Sequence, residues 1–300
     1  MGKRPIALST AWHPASDERL VPTLEAIERM GFEAVEIGVS GARFRLKKVK
    51  RFLEGAKVQV VSVHNVLSER KLDPGNRRGD WLASTDEEKR RRGVEATIES
   101  LGNAEALGAR ALVLHLGSLP IEGKWEKQER LYRQLAAGET GERDELLRAR
   151  SRLAPAHLDA ASRSLEELLA RDCKVRLGIE CRMGWHELPD IEELALLLER
   201  FPDPRVGYWH DTGHAAIQEV LGLAERWEWL RRHRHRTIGA HIHDVRERVR
   251  DHHPPGLGDF DFEPLLDLLP PDALVVMEIA AGFIQEEILA GKRFLEEAGF

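Results

Sequence analysis

The 300-residue chain has only two cysteines, Cys173 and Cys181. Two thiols give no disulfide framework and fit a reducing compartment. No apolar run approaches the ~20 residues that a membrane-crossing helix needs. Met-Gly-Lys-Arg-Pro leads straight into a strand-like run without a leader pattern, so a cytoplasmic location is expected. Positive charge is in deficit: 45 Lys and Arg face 51 Asp and Glu, for a formal net charge of −6. That argues against a protein that coats nucleic acid through its overall charge, though not against a local basic patch. A glycine-rich phosphate turn is missing after the first strand, which runs into Ser9-Thr-Ala-Trp-His-Pro14. This disfavours an open, doubly wound nucleotide-binding sheet. Tyrosine is scarce, with two residues against 13 histidines, and the positions of those histidines are informative.

Apolar residues make up 42% of the chain, enough for a sizeable core. Eight short apolar runs, at 6–10, 34–39, 58–63, 111–114, 175–179, 205–209, 237–242 and 273–277, alternate with helical periodicity. Strands that are apolar throughout belong to a sheet covered on both faces. Eight βα units in about 300 residues is the count of a (β/α)8 barrel. No linker or shift of composition divides the chain, so one domain over 1–300 is expected. Ser16 or Asp17 is placed to cap a first helix that runs to Met30. The interval 122–170 is expected to hold two helices with a break near Pro155. A helix is expected from the Asp211 turn to about Arg236, and a loop over 244–259.

In such a barrel the strand C-termini line the mouth where chemistry occurs. Polar residues gather there: His64, His115, Glu180, Asp211 with His214, His241, and Glu278, plus Asp251 and His253 from the loop after the seventh strand. Singly, each has a plain explanation, since Asp-Thr-Gly caps helices and a strand-end His is commonly a satisfied polar group. Recurrence at six of eight strand ends changes the balance. Carboxylates crowded at a buried rim repel one another unless cations neutralise them. Mixed His and carboxylate ligands without cysteine suit Zn²⁺, Mn²⁺, Co²⁺ or Mg²⁺.

The ordered series Ser-Val-His64, Val-Leu-His115, Gly-Ile-Glu180, Asp211-Thr-Gly-His214, His241-Ile-His243-Asp244, Asp251-His-His253 with Gly256-Leu-Gly258, and Met-Glu278 resembles the xylose-isomerase-like TIM-barrel superfamily. That group joins sugar-phosphate isomerases and epimerases to the endonuclease IV family of abasic-site nucleases. The epimerase branch implies one metal on Glu180, Asp211, His241 and Glu278, with Glu180 and Glu278 exchanging a proton across the reacting carbon. The nuclease branch implies three zinc ions and adds His64, His115, His214, Asp251 and His253. The resemblance therefore implies one to three divalent ions, Zn²⁺ or Mn²⁺, and leaves open whether Glu180 serves one ion or bridges two. His241 is preferred to His243 because it takes the family position, and His253 to His252 from the Asp-x-His pattern. His13, His157, His186, His233 and His235 are expected as ordinary surface or loop residues. The chain departs from the nuclease branch at His115-Leu-Gly-Ser118, which lacks the proline after the fourth-strand histidine.

A nuclease needs basic and wedge residues on the mouth loops. The best stretch is 41–48, after the second strand. Lys89-Arg-Arg-Arg92 and Arg231-Arg-His-Arg-His-Arg236 fall on helices and fit solvated faces. A small-molecule isomerase needs aromatic walls and cationic clamps, for which Trp12, Trp185, Arg182 and Arg246 are placed, with 68–81 as a lid. A metal-dependent isomerase or epimerase acting on a sugar or sugar phosphate is favoured. An abasic-site phosphodiesterase and a keto-polyol dehydratase remain alternatives, with DNA a partner only under the former. Homo-oligomerisation stays open.

Overall fold

Eight parallel strands close on themselves in the computed structural model, which describes residues 4–13, 20–38, 44–70, 72, 74–76, 79–139 and 142–300. They are β1 (Ile6–Ser9), β2 (Ala34–Ile37), β3 (Gln59–His64), β4 (Ala111–Leu114), β5 (Arg176–Glu180), β6 (Val206–Asp211), β7 (Thr237–Ile242) and β8 (Leu274–Met277). Their order around the barrel is β1-β8-β7-β6-β5-β4-β3-β2. The expected (β/α)8 barrel is thus the fold. Ser16, Asp17, Val39 and residues 41–43 lie outside the described residues. Around the barrel run α1 (Leu20–Arg29), α2 (Leu46–Leu53), α3 (Glu87–Ala106), α4 (Lys124–Ala136), α5 (Arg143–Leu169), α6 (Ile191–Arg200), α7 (Thr212–Val220), α8 (Glu228–His233), α9 (Glu263–Leu268) and α10 (Gln285–Ala298). No helix among the described residues is long and apolar enough to cross a membrane.

Three expectations need correction. Pro155 lies inside the continuous α5, and the break falls earlier, between α4 and α5. Gly138, at φ 78°, supplies the left-handed residue that ends α4. Proline costs α5 one amide donor, but tertiary bonds hold the helix on both sides of it. Arg150 grips Glu193 at 2.6 and 2.7 Å before the proline, and Ser164 donates to the Leu82 carbonyl at 2.7 Å after it. The helix after Asp211 also divides, into α7 and α8, with Gly222 left-handed between them. The third correction concerns 244–259, where Asp244–Arg246 and Arg250–His253 pair as an antiparallel ribbon. Asp244 organises that ribbon by accepting the backbone amides of Val245 at 2.8 Å and of Gly256, Gly258 and Phe260 at 2.9 Å. A side chain on Gly258 would collide with that carboxylate.

Inside the barrel, Ala7, Ala34, Ala111, Val113, Trp209, Ile238, Leu274 and Val276 form an apolar layer. Trp209 dominates it and is fully buried. Gly178 and Gly239 stand two residues before Glu180 and His241, so they share the same inward face one level lower. A Cβ on Gly239 would lie 2.5 Å from the Trp209 ring, and one on Gly178 would lie 3.0 Å from it. The two glycines therefore make room for an indole, whose centroid sits 5.2 Å from the His241 ring. The site has a dry aromatic floor.

Gly239→Ala should lower unfolding stability by about 1–3 kcal/mol through overpacking. Combined with Trp209→Leu, its additional cost should shrink. Urea unfolding of the single and double variants measures this coupling; strictly additive losses would mean that Gly239 does not serve the indole.

Candidate metal centre

Three groups of side chains converge at the C-terminal mouth: His64, His115 and Glu180; Glu180, Asp211, His241 and Glu278; and Asp211, His214 and His252. Within each group the potential ligand atoms lie within 4.8 Å of one another. Backbone register creates the adjacency, since Asp211 of β6 stands directly beside His241 of β7. His241 is the hub. Its Nδ1 lies 2.8 Å from Glu180 Oε1, 3.0 Å from Glu278 Oε2 and 3.7 Å from Asp211 Oδ2.

The other edge of His241 meets a residue that sequence reasoning missed. Glu36 of β2 is fully buried, with oxygens 3.1 and 3.2 Å from His241 Nε2, and it accepts the Ser62 hydroxyl at 2.8 Å. A carboxylate on the far nitrogen fixes the ring and its tautomer, as the outer partner of a metal-bound histidine does. The available signal was a lone charge in the otherwise apolar strand Ala-Val-Glu-Ile.

His64 and His214 are held similarly, by backbone. His64 Nδ1 donates to the Asn65 carbonyl at 3.0 Å and His214 Nδ1 to the Cys181 carbonyl at 2.9 Å. Both leave Nε2 with a free lone pair, 3.8 Å from Glu180 Oε2 and 3.9 Å from Asp251 Oδ2 respectively. Asp211 caps α7 by accepting the His214 amide at 2.7 Å, so the capping explanation of Asp-Thr-Gly holds alongside its place in the cluster. His243 Nδ1 accepts the His252 amide at 2.9 Å, which puts its proton on Nε2, donated to Asp211 at 3.0 Å. His243 thus orients Asp211 and stays out of the four-residue group.

The structure brings His252, rather than His253, into the third group. His252 has φ 59°, a left-handed twist that interrupts strand alternation, so the Asp-x-His pattern no longer puts Asp251 and His253 on one face. His252 Nδ1 lies 3.0 Å from Asp251 Oδ1, and its ring stacks on His243 at 4.2 Å. His253 instead meets Phe283, with centroids 5.2 Å apart. Trp185 is also displaced from its expected role. It is buried among Leu131, Leu146, Ile217 and Leu221, beside a cavity of about 310 Å³ away from the cluster. Trp12 is buried and spends its indole N–H on the Phe283 carbonyl at 2.8 Å. Arg246 is exposed on the ribbon. Arg182 is enclosed and engaged with Glu180 at 2.9 Å. His157, His186 and His233, expected at the surface or in loops, are buried, while His13 and His235 are exposed.

A family model described as "Xylose isomerase-like TIM barrel" matches residues 24–297. The chain belongs to that family. Among solved structures, it is similar to a D-tagatose 3-epimerase-like protein at 20% identity, with 98% of this chain and 96% of that one covered and a TM-score of 0.70. It is also similar to the 3-keto-D-glucoside 4-epimerase YcjR from E. coli, at 16% identity, 98% and 100% coverage and a TM-score of 0.68. A zinc-bound IOLI protein shares 13% identity over 98% and 97%, with a TM-score of 0.64. At these identities the likeness shows the fold. No curated protein matches the chain.

In this xylose isomerase-like barrel the donor set fits a divalent ion. It combines one imidazole nitrogen with three carboxylates, all buried above an apolar floor. Without an ion, protons must do the neutralising. Burial opposes a charge on His241, but Glu278, Glu36 and Glu180 outweigh it and raise its pKa well above the usual value. Burial likewise opposes the Glu278 charge, yet His241 and His252 hold its pKa well below the carboxylate range. Glu180 is held low against burial by His115 and Arg182, and Asp211 is pushed down to about 2 against burial by His214 and His243. On His115, burial and Arg182 oppose a proton while Glu180 and Asp80 favour it, and the balance is upward.

A metal bound to His241 Nδ1 has to displace that proton, whereas the carboxylates are already ionised at neutral pH. Metal loading should therefore release about one proton per ion. Affinity should weaken as pH falls and His241 takes up its proton. Calorimetric titration in buffers of different ionisation enthalpy reads the release; none, with pH-independent affinity, would place the ion elsewhere.

Proposed function

We propose that this protein is a divalent-metal-dependent isomerase or epimerase that moves a proton at a carbon next to the carbonyl of a sugar or sugar phosphate. The observation that carries the reading is the convergence of two buried carboxylates, Glu180 at 2.8 Å and Glu278 at 3.0 Å, on one imidazole nitrogen. An ion held by Glu180, Asp211, His241 and Glu278 would polarise a substrate carbonyl and the adjacent hydroxyl, making the neighbouring C–H acidic. Both glutamates are ionised and stand ready as bases. One would take the proton from carbon, and the other would have to gain a proton from solvent before it could return one to the opposite face of the reacting carbon. Glu36 and His243 orient the ligands, and the Trp209 floor excludes water beneath them. The similarity to a D-tagatose 3-epimerase-like protein and a 3-keto-D-glucoside 4-epimerase supports the same class.

One observation favours a second reading, a multinuclear phosphodiesterase acting on abasic DNA: the four-residue group shares Glu180 with one of the three-residue groups and Asp211 with the other. Against it, the basic runs at 89–92 and 231–236 are occupied within the fold. Arg90 pairs with Glu87 and Glu167, Arg92 with Glu88, Arg231 with Glu225 and Arg232 with Glu192. Arg234 and Arg236 donate to backbone carbonyls. A keto-polyol dehydratase would use the same proton abstraction.

The metal-loaded protein, incubated in heavy water with a panel of ketoses and their phosphates, should place deuterium at carbon three or four of one of them. Glu180→Gln and Glu278→Gln should each cut exchange by about 10²-fold or more while leaving the barrel folded. Metal-dependent cleavage of a duplex bearing one abasic site, with no exchange into any sugar, would replace this reading with the nuclease.

A further inference from the structure

The His64–His115–Glu180 group differs from the other two because a cation already stands in it. Arg182 Nη1 lies 2.9 Å from Glu180 Oε2 and 2.7 Å from His115 Nε2. That nitrogen carries two N–H bonds, one for each neighbour. The guanidinium is anchored from its other edge, where Nε donates to Glu187 Oε1 at 3.2 Å. Glu187 is itself buried and accepts the Gly184 amide at 2.8 Å. The Gln218 side-chain amide holds the Arg182 carbonyl. Arg182 is 6% exposed, so this is a built arrangement and not a surface arm that has fallen inward.

An imidazole nitrogen has one in-plane lone pair. If His115 is neutral at Nε2, Arg182 takes that lone pair; if Nε2 is protonated, none exists. Either way His115 Nε2, which also lies 2.6 Å from Glu180 Oε2, has no bond to offer an ion while Arg182 is in place, and Nδ1 faces Asp80 at 3.6 Å instead of Glu180. An ion at ~2.0–2.2 Å from the same nitrogen and oxygen would also face a fixed positive charge at close range. Lysine would not reproduce the arrangement, because only guanidinium presents a planar fork that can engage Glu187 with one edge and the His115–Glu180 pair with another.

We propose that Arg182 is a resident cation that replaces a metal ion in the His64–His115–Glu180 group, so that the chain binds no ion through His64 and His115. Glu180 is then neutralised by guanidinium on Oε2 and presents Oε1 to the Glu180–Asp211–His241–Glu278 group. This rests on the proposal that the latter group holds an ion.

The test is the metal content of chains loaded with Mn²⁺ and dialysed, measured by mass spectrometry, together with the electron spin resonance of the bound manganese. His115→Ala in the otherwise native chain should leave the count unchanged. Arg182→Met should raise it by about one ion per chain and add the broadened signal of neighbouring manganese ions. His115→Ala in that background should remove the gain. Arg182→Lys, which keeps a charge but not the fork, should gain less than Arg182→Met. Loss of about one ion on His115→Ala alone would overturn the proposal, whether or not the Arg182 variants fold. So would an unchanged count in an Arg182→Met chain whose thermal unfolding remains cooperative. A native chain that binds no ion at all would instead remove the metal reading on which the proposal stands.

Discussion

Burying several carboxylates in one place is the constraint around which this barrel is arranged. Glu36, Glu180, Asp211 and Glu278 are all buried above an apolar layer built around Trp209. An isolated carboxylate there would be too costly to keep ionised. Each is therefore given a partner: His241 for Glu36, Arg182 for Glu180, His243 for Asp211, and His241 with His252 for Glu278. The electrostatic solution also fixes geometry, because each partner approaches from a different strand or loop. Breaking one contact would leave a buried charge uncompensated, which is far more costly than the loss of an exposed ion pair.

The barrel was legible because its signals are local and repeated. Eight short apolar runs, each followed by helical periodicity, leave little freedom of topology, and strand ends could be aligned without knowing the structure. His64, His115, Glu180, Asp211, His241 and Glu278 stood out because each is a polar residue that ends an apolar run, and His214 through its spacing from Asp211; the structure brings these seven together at the mouth. Glu36 escaped because it sits inside its strand and its partner His241 is 205 positions away. His252 escaped for a different reason. Alternation along an extended strand favours His253, and a single left-handed residue, at φ 59°, reverses that assignment. Left-handed backbone is uncommon at any non-glycine residue, and the enrichment of histidine there does not single out one histidine of a pair. Trp185 was placed by proximity to Glu180, but it turns outward into the apolar cluster beneath α4, α5 and α7.

Helix punctuation failed in a related way. Proline seemed the natural place to divide 122–170, yet proline removes only one donor, whereas Gly138 can reverse the chain. The Arg150–Glu193 pair ahead of Pro155 and the Ser164–Leu82 bond after it cross to other elements. A helix tied at both ends by tertiary bonds tolerates an interior proline that an isolated helix would not.

The tautomers join the scaffold to the chemistry. On His64 and His214, backbone carbonyls occupy Nδ1 and leave Nε2 toward the mouth. On His241 a carboxylate occupies Nε2 and leaves Nδ1 toward Glu180 and Glu278. The difference affects basicity. A carbonyl orients a ring with little effect on its charge, whereas a buried carboxylate makes the ring a stronger electron donor and stabilises its protonated form. His241 is thereby the residue on which ion and proton compete most directly, and Glu36 strengthens its hold on both. A site built this way would hold an ion more firmly as His241 gives up its proton with rising pH and release it in acid. Glu36, which reaches the reacting centre only through His241, would set that balance while remaining apart from the substrate.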